Sequence, residues 1–356
     1  MIPSPAVSSL GDRPHNGATS TPENTQHQRP GRDENHDGHK MSDEHVLLCT
    51  DTFVEQHGER LAAVAPSVAL ALLADEPTPD MDLTRVTMAF MSKDTLPGRA
   101  RMFLETSASA PNLRWLHVMA AGVEGPPFDA FRDRGVIVTR TPGASAAAIA
   151  ETVFMYLHSL TRDVRSFNAT YRERRWEWAE WRQLEGRTMT VLGYGPIGQR
   201  IIQLASAYEM IPTVVRRQVR GDEICAALAV DGLADAVAHA DVVVIALPLT
   251  PDTTGLVSDD VIARMRPDAI LINVARGGIV DQQALANALA SGRLAGAGLD
   301  VFDPEPLDTA DPLWDLPNVI LTPHNSGSSN LGPQKVVDIF FEHLTRYLDD
   351  PDRPTG

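Results

Sequence analysis

Apolar positions along this chain recur with two different spacings. Short continuous runs at 45–49, 86–90, 113–119 and 136–138 alternate with stretches of helical spacing up to about residue 144. That alternation predicts an α/β unit, and no phosphate-binding loop lies within it. After Ser145, which can cap a helix, Ile149, Val153, Tyr156, Leu157 and Leu160 repeat at the 3.6-residue period. A second unit opens with a strand at 188–192. Pro196 follows as the start of a helix that carries Ile197, Ile201, Leu204, Ala205 and Tyr208 on one face. Proline suits a first helical position because its missing N–H would be unpaired there anyway. The later runs at 213–215, 242–247, 269–274 and 297–301 are apolar throughout, not alternating, as in parallel strands covered on both faces. Residues 336–348 form an amphipathic helix (Val337, Phe340, Leu344, Leu348) expected to pack back on the first unit.

Composition narrows the setting. Residues 1–43 hold many Pro, Gly, Ser, Thr, Asn and His with no periodic apolar pattern, and are read as a disordered tail. His36 and His39 suggest a metal-binding tail; a solvated leader with Met41 as the true start is the favoured reading. No run has the apolar length of a membrane span, and the first forty residues lack the apolar core of a secretion signal. Two cysteines, Cys49 and Cys225, make neither a disulfide framework nor a zinc site, so no metal is expected and the cytoplasm is the simplest address. A net charge of −16 argues against a nucleic-acid partner, which is met by a basic face.

The strongest local motif is Gly193-Tyr194-Gly195-Pro196-Ile197-Gly198, set between a predicted strand and a predicted helix. There glycines permit a tight turn and a close approach of backbone to a pyrophosphate at the helix N-terminus. The usual acidic residue at the end of the next strand is missing. Arg216 and Arg217 stand in that stretch, and two guanidiniums suit a 2′-phosphate, so NADPH (NADP) is favoured over NAD. Solvated arginines stacking on the adenine are the bland alternative. Three strand exits carry further chemistry: Arg276 before two glycines, Asp300 and Glu305 after another strand, and His324 after a third. Ligands of open α/β sheets bind at the carboxyl ends of strands, so an arginine, a glutamate and a histidine there can converge on one small molecule.

These segments, with 247–256 and 120–124, resemble the D-isomer-specific 2-hydroxyacid dehydrogenase family over residues 45–350. The resemblance implies two Rossmann-like α/β domains with parallel sheets. One is a flavodoxin-like substrate domain (44–144 and 324–350), into which a dinucleotide-binding domain (145–323) is inserted. It implies that Arg276 holds the carboxylate of a small 2-keto or 2-hydroxy acid. His324 would exchange a proton with the substrate oxygen, while Glu305 fixes the tautomer of His324 and favours its charged form. Asp300 would face the nicotinamide carboxamide, and Leu247, Pro248, Thr253, Val274 and Ala275 would lie against the cofactor. Backbone N–H groups of Ala121, Gly122 and Val123 would help to bind the carboxylate, with Met91 and Ser92 near the substrate side chain. Glu124 replaces a frequent Asp, Arg140 stands where Asn is common, and Glu305 stands where formate dehydrogenases carry an amide, which argues against formate. Trp176, Trp178 and Trp181 precede the glycine motif. In the glyoxylate/hydroxypyruvate reductase branch an aromatic in this region reaches across a homodimer, which makes Trp176 a candidate for the substrate pocket. The rival expectation is a dinucleotide-sensing, corepressor-like binding protein of the same fold.

Overall fold

The computed structural model describes residues 45–354 apart from 76–80, 97, 121 and 124. The expectations for the N-terminal tail and for the histidines in it, and those for Ala121 and Glu124, lie outside the described residues. Strands β1 (Val46–Thr50), β2 (Ala69–Leu73), β3 (Met88–Met91), β4 (Trp115–Val118) and β5 (Ile137–Thr139) form a first sheet in the order β2-β1-β3-β4-β5, and every pairing is parallel. Its connecting helices are α1 (Asp51–Val64), α2 (Ala100–Ala108) and α3 (Pro126–Asp133). Two helices, α4 (Ala146–Thr161) and α5 (Val164–Arg172), lead to the second sheet. That sheet is built from β6 (Thr188–Leu192), β7 (Ile211–Arg216), β8 (Ala226–Ala229), β9 (Val242–Ile245), β10 (Ile270–Asn273), β11 (Gly296–Leu299) and β12 (Val319–Leu321). Its order is β12-β11-β10-β9-β6-β7-β8, again parallel throughout. Helices α6 (Pro196–Ala207), α7 (Leu233–Ala238), α8 (Asp259–Arg264) and α9 (Gln282–Ala290) accompany it, and α10 (Gly332–Asp349) closes the chain.

The continuous apolar runs read as two-sided strands do have both faces covered. In β9, β10 and β11 every residue is buried. One aliphatic cluster, with Val243, Ile245, Leu271 and Leu299, lies against α7, α8 and α9; another, with Val191, Val244 and Ile272, lies against α4 and α6. The first sheet is sealed differently. Helix α10 lays Phe340 flat on Phe90 at 3.8 Å between ring centroids, and Tyr347 stacks on Trp115 at 4.7 Å. Such aromatic pairs add about 0.5–1.5 kcal/mol each beyond their area burial.

One local expectation fails. Ser145 occupies the cap position of α4, but its side chain makes no capping hydrogen bond. Its backbone lies at φ −97° and ψ 3° instead of the extended region that aims a cap hydroxyl at the helix amides. Among the described residues no helix is long and apolar enough to cross a membrane.

Candidate active site

The glycine turn after β6 shows which positions must lack a side chain. Gly193 has φ +109°, and a Cβ there would sit 2.5 Å from the carbonyl oxygen of Ala246. A Cβ on Gly198 would fall 2.1 Å from the carbonyl oxygen of Gly193, so these two glycines let α6 pack tightly against the strand end. Gly195 faces open space, with nothing within 4 Å of a built Cβ. The turn is therefore closed behind and open in front. That open face, at the N-terminus of the twelve-residue α6, fits the pyrophosphate of a dinucleotide, because unpaired amides and the helix dipole favour an anion there.

A cleft of about 410 Å³ starts at this turn and runs between the two sheets. Gly195, Pro196, Ile197, Leu247 and Pro248 line it from the second sheet, and Val274, Ala275, Arg276 and His324 lie further along. Gly122 and Arg140 face it from the first sheet. Arg276 follows β10 in extended backbone (φ −147°), and its Nη1 donates to the carbonyl of Ala275 at 2.7 Å. Asn273, a buried amide at the end of an apolar strand, accepts from the N–H of Ala275 and donates to the carbonyl of Arg276. It thereby holds the arginine's backbone on both sides. Gly277 beside it cannot carry a side chain, since a Cβ would lie 2.0 Å from the carbonyl carbon of Phe302.

His324 sits in the left-handed region at φ +50°, and its N–H donates to the carbonyl oxygen of Asp300 at 2.8 Å. Its Nδ1 lies 2.8 Å from Oε2 of Glu305, while Oε1 of Glu305 accepts the N–H of Phe302 at 3.0 Å. Glu305 is thus anchored by backbone before it meets the imidazole. Among the described residues the other ring nitrogen, Nε2, has no hydrogen-bond partner, and His324 lines the cleft.

Two sheets of this order, joined at a cleft that holds a glycine turn, an arginine and a histidine–glutamate pair, have recognisable relatives. A family model described as D-isomer specific 2-hydroxyacid dehydrogenase, NAD binding domain, matches residues 154–326. A glyoxylate reductase of Korarchaeum cryptofilum is 32% identical over 252 residues, which is 68% of this chain and 75% of the relative. The chain belongs to the D-isomer-specific 2-hydroxyacid dehydrogenase family. A crystal structure of a member from Aeromonas salmonicida superposes with a TM-score of 0.71 at 31% identity, over 86% of this chain and 96% of the other. D-3-phosphoglycerate dehydrogenase of Mycobacterium tuberculosis is 34% identical over 234 residues, 63% of this chain, and the match spans only 43% of that longer protein.

Several residues expected at the site of this dehydrogenase-family chain stand elsewhere. Asp300 is fully buried, and its carboxylate accepts the N–H groups of Asn325 and Ser326 and the hydroxyl of Thr322. It braces the turn that carries His324 instead of facing the cleft. Thr322 accepts in turn from the hydroxyl of Tyr156, whose phenol burial pushes above its ordinary range, so it stays a neutral donor. Arg216 is not a free cation: its side chain is 14% exposed, and Asp222 and Glu223 hold its guanidinium at 2.7 and 2.5 Å. Arg217 is exposed and outside the cleft lining. Met91 is buried at the end of β3, while Ser92 bonds to Asp94, which pairs with Arg99; neither Met91 nor Ser92 lines the cleft. Val123 packs into the first sheet's core and Thr253 bonds to the carbonyl of Pro248, both off the cleft lining. Trp176 is fully exposed, away from the cleft of its own chain. Sequence reasoning missed Asn273 as a positioning residue, although a lone amide inside an otherwise apolar strand is itself the signal. It also gave no role to Arg140, which the fold turns into the cleft.

Proposed function

We propose that the protein is a nicotinamide-dependent oxidoreductase that reduces a small 2-keto acid, of the glyoxylate, hydroxypyruvate or pyruvate type, to the D-2-hydroxy acid. The observation that carries this reading is the Glu305–His324 pair at 2.8 Å opening, beside Arg276, on the same cleft as the glycine turn. Arg276 binds the substrate carboxylate through its guanidinium fork, the geometry best matched to a planar anion. His324, its Nδ1 committed to Glu305, delivers a proton from Nε2 to the keto oxygen and takes it back in the reverse direction. The bound dinucleotide would supply the hydride. Gly122 offers its backbone to the carboxylate from the other wall.

The finer parts of the reading rest on particular residues. NADPH is the preferred cofactor, with NADH as the alternative, on the strength of Arg216 and Arg217 and the lack of an acid at the end of β7. Residues 145–323 act as the nucleotide half and 44–144 with 324–350 as the substrate half. Phe167, Tyr171, Trp176 and Trp178, all exposed within residues 167–178, are the apolar surface proposed to form a homodimer, across which Trp176 contributes to the substrate pocket. With both cysteines unpaired, the reducing cytoplasm is the proposed compartment.

The test follows absorbance of the nicotinamide band with NADPH and NADH against glyoxylate, hydroxypyruvate, pyruvate and longer 2-keto acids, and in reverse with 3-phosphoglycerate. Turnover of a 2-keto acid supports the reading, and the ratio of rates ranks cofactor and substrate. Dinucleotide binding without turnover of any of them would overturn it in favour of a sensor.

A further inference from the structure

The loop after β7 holds a charge cluster that the reaction does not use. Nη1 of Arg216 donates to Oδ1 of Asp222 at 2.7 Å and to Oε1 of Glu223 at 2.5 Å, and the guanidinium lies over the ring of Tyr194, 5.1 Å from its centroid. Tyr194 is the residue between the first two glycines of the cofactor turn. Its hydroxyl donates to the carbonyl of Asp222 at 3.2 Å and accepts the N–H of Ile224 at 2.9 Å, tying the acidic loop to that turn.

The two carboxylates differ in how they are held. The side chain of Glu223 is 3% exposed and accepts the N–H groups of Arg220 and Gly221 at 2.9 and 2.8 Å, where Gly221 at φ +78° turns the chain back. Those amide bonds, that of Arg220 first, bring its carboxyl down to about 2, so Glu223 is a fixed and permanent anion. Asp222 is 59% exposed and meets Arg216 through a single bond. Arg217, exposed, is in no ion pair among the described residues.

We propose that Asp222 sets the choice between the two nicotinamide dinucleotides by competing with a 2′-phosphate for Arg216. This rests on reading the cleft as a dinucleotide site. Glu223 and Tyr194 keep the guanidinium flat beside the glycine turn whichever cofactor is bound. A 2′-hydroxyl can donate to Asp222 as it stands, so the carboxylate missing from the end of β7 is returned by the loop six residues later. A 2′-phosphate is repelled by Asp222 and must displace it to reach Arg216, with Arg217 as the second cation. The loop therefore narrows the advantage that two arginines would otherwise give NADPH.

Calorimetric titration of the purified protein with NADP+ and with NAD+ tests this without relying on turnover. Asp222→Asn should tighten NADP+ binding roughly fivefold to tenfold, the size expected for removing one exposed like charge beside a phosphate, and weaken NAD+ binding, whose 2′-hydroxyl loses a charged acceptor. The gain should vanish when Arg216→Gln is made in the same chain, since the effect runs through that guanidinium. An unchanged ratio of the two dissociation constants in Asp222→Asn overturns the proposal while leaving the dinucleotide site standing. A wild-type protein that binds neither dinucleotide overturns both.

Discussion

Around the second sheet, backbone comes closest to backbone where side chains are missing: at Gly193 against Ala246, at Gly198 against Gly193 and at Gly277 against Phe302. Against the first sheet large rings pack on one another, Phe53, Phe90 and Trp115 meeting Phe340 of α10. The second arrangement fixes where main-chain amides and strand-end side chains stand, so it suits a site that must hold a cofactor and a reacting group in register. The first buries area and contributes turns to the cleft wall. Position in the second sheet should therefore govern chemistry, and position in the first should govern stability.

The largest expected effect breaks that division if it fails. Phe340→Ala removes a fully buried ring and should cost about 3–5 kcal/mol in denaturant unfolding, with kcat/KM per folded molecule held within about threefold. A collapse of kcat/KM in the folded fraction would show that the aromatic seal also shapes the site. The converse change is Arg276→Gln. It should reduce kcat/KM by about 2–5 kcal/mol of barrier, with a Tm shift under roughly 3 °C, because the change removes a charge and leaves the apolar clusters of the second sheet intact. Normal kcat/KM in that variant would remove Arg276 from the mechanism.

The smallest effect sharpens the contrast through pH. His117, fully buried beneath α10, has its imidazole pushed well below the ordinary value of 6.5 by burial and by His343 beside it, and His343 is lowered as well. The unfolded chain therefore binds protons that the folded chain refuses, and stability falls as pH drops below about 6.5. Each histidine can account for up to about 1.4 kcal/mol per pH unit. His117→Gln should flatten the fall in unfolding free energy between pH 6.5 and pH 5, and a wild-type profile already flat there would sink the idea.

Much of the architecture was legible because its signals are local. Strand β6 and the start of α6 at Pro196 stand where the apolar run and the proline put them. Strands β2 (Ala-Leu-Ala-Leu-Leu) and β8 (Ala-Ala-Leu-Ala) escaped notice because their apolar runs consist of Ala and Leu, which favour helix, and hold no β-branched residue. At the site, the histidine, glutamate and arginine were readable from their places at strand exits. The inward turn of Asp300 was not, because Asp300, Asp303 and Glu305 all follow the same strand and only the fold decides which is buried under the histidine turn and which meets the imidazole. The acids that hold Arg216 were hidden for a related reason. Its countercharges come six and seven residues later, brought back by a turn at Gly221 that no strand-end fingerprint describes.

Gly298 and Tyr156 carry a consequence for how this sequence can drift. A methyl at Gly298 would lie 2.5 Å from Cγ of Tyr156, and that ring carries the hydroxyl that reaches Thr322 and, through it, Asp300. Neither position can be exchanged alone at low cost. Alanine at 298 requires a smaller residue at 156, and shrinking 156 first severs the hydroxyl chain and opens a void against the strand. The pair should behave as one inherited unit, so a mutational path between lineages must change both residues together or pass through an intermediate with a loosened histidine turn.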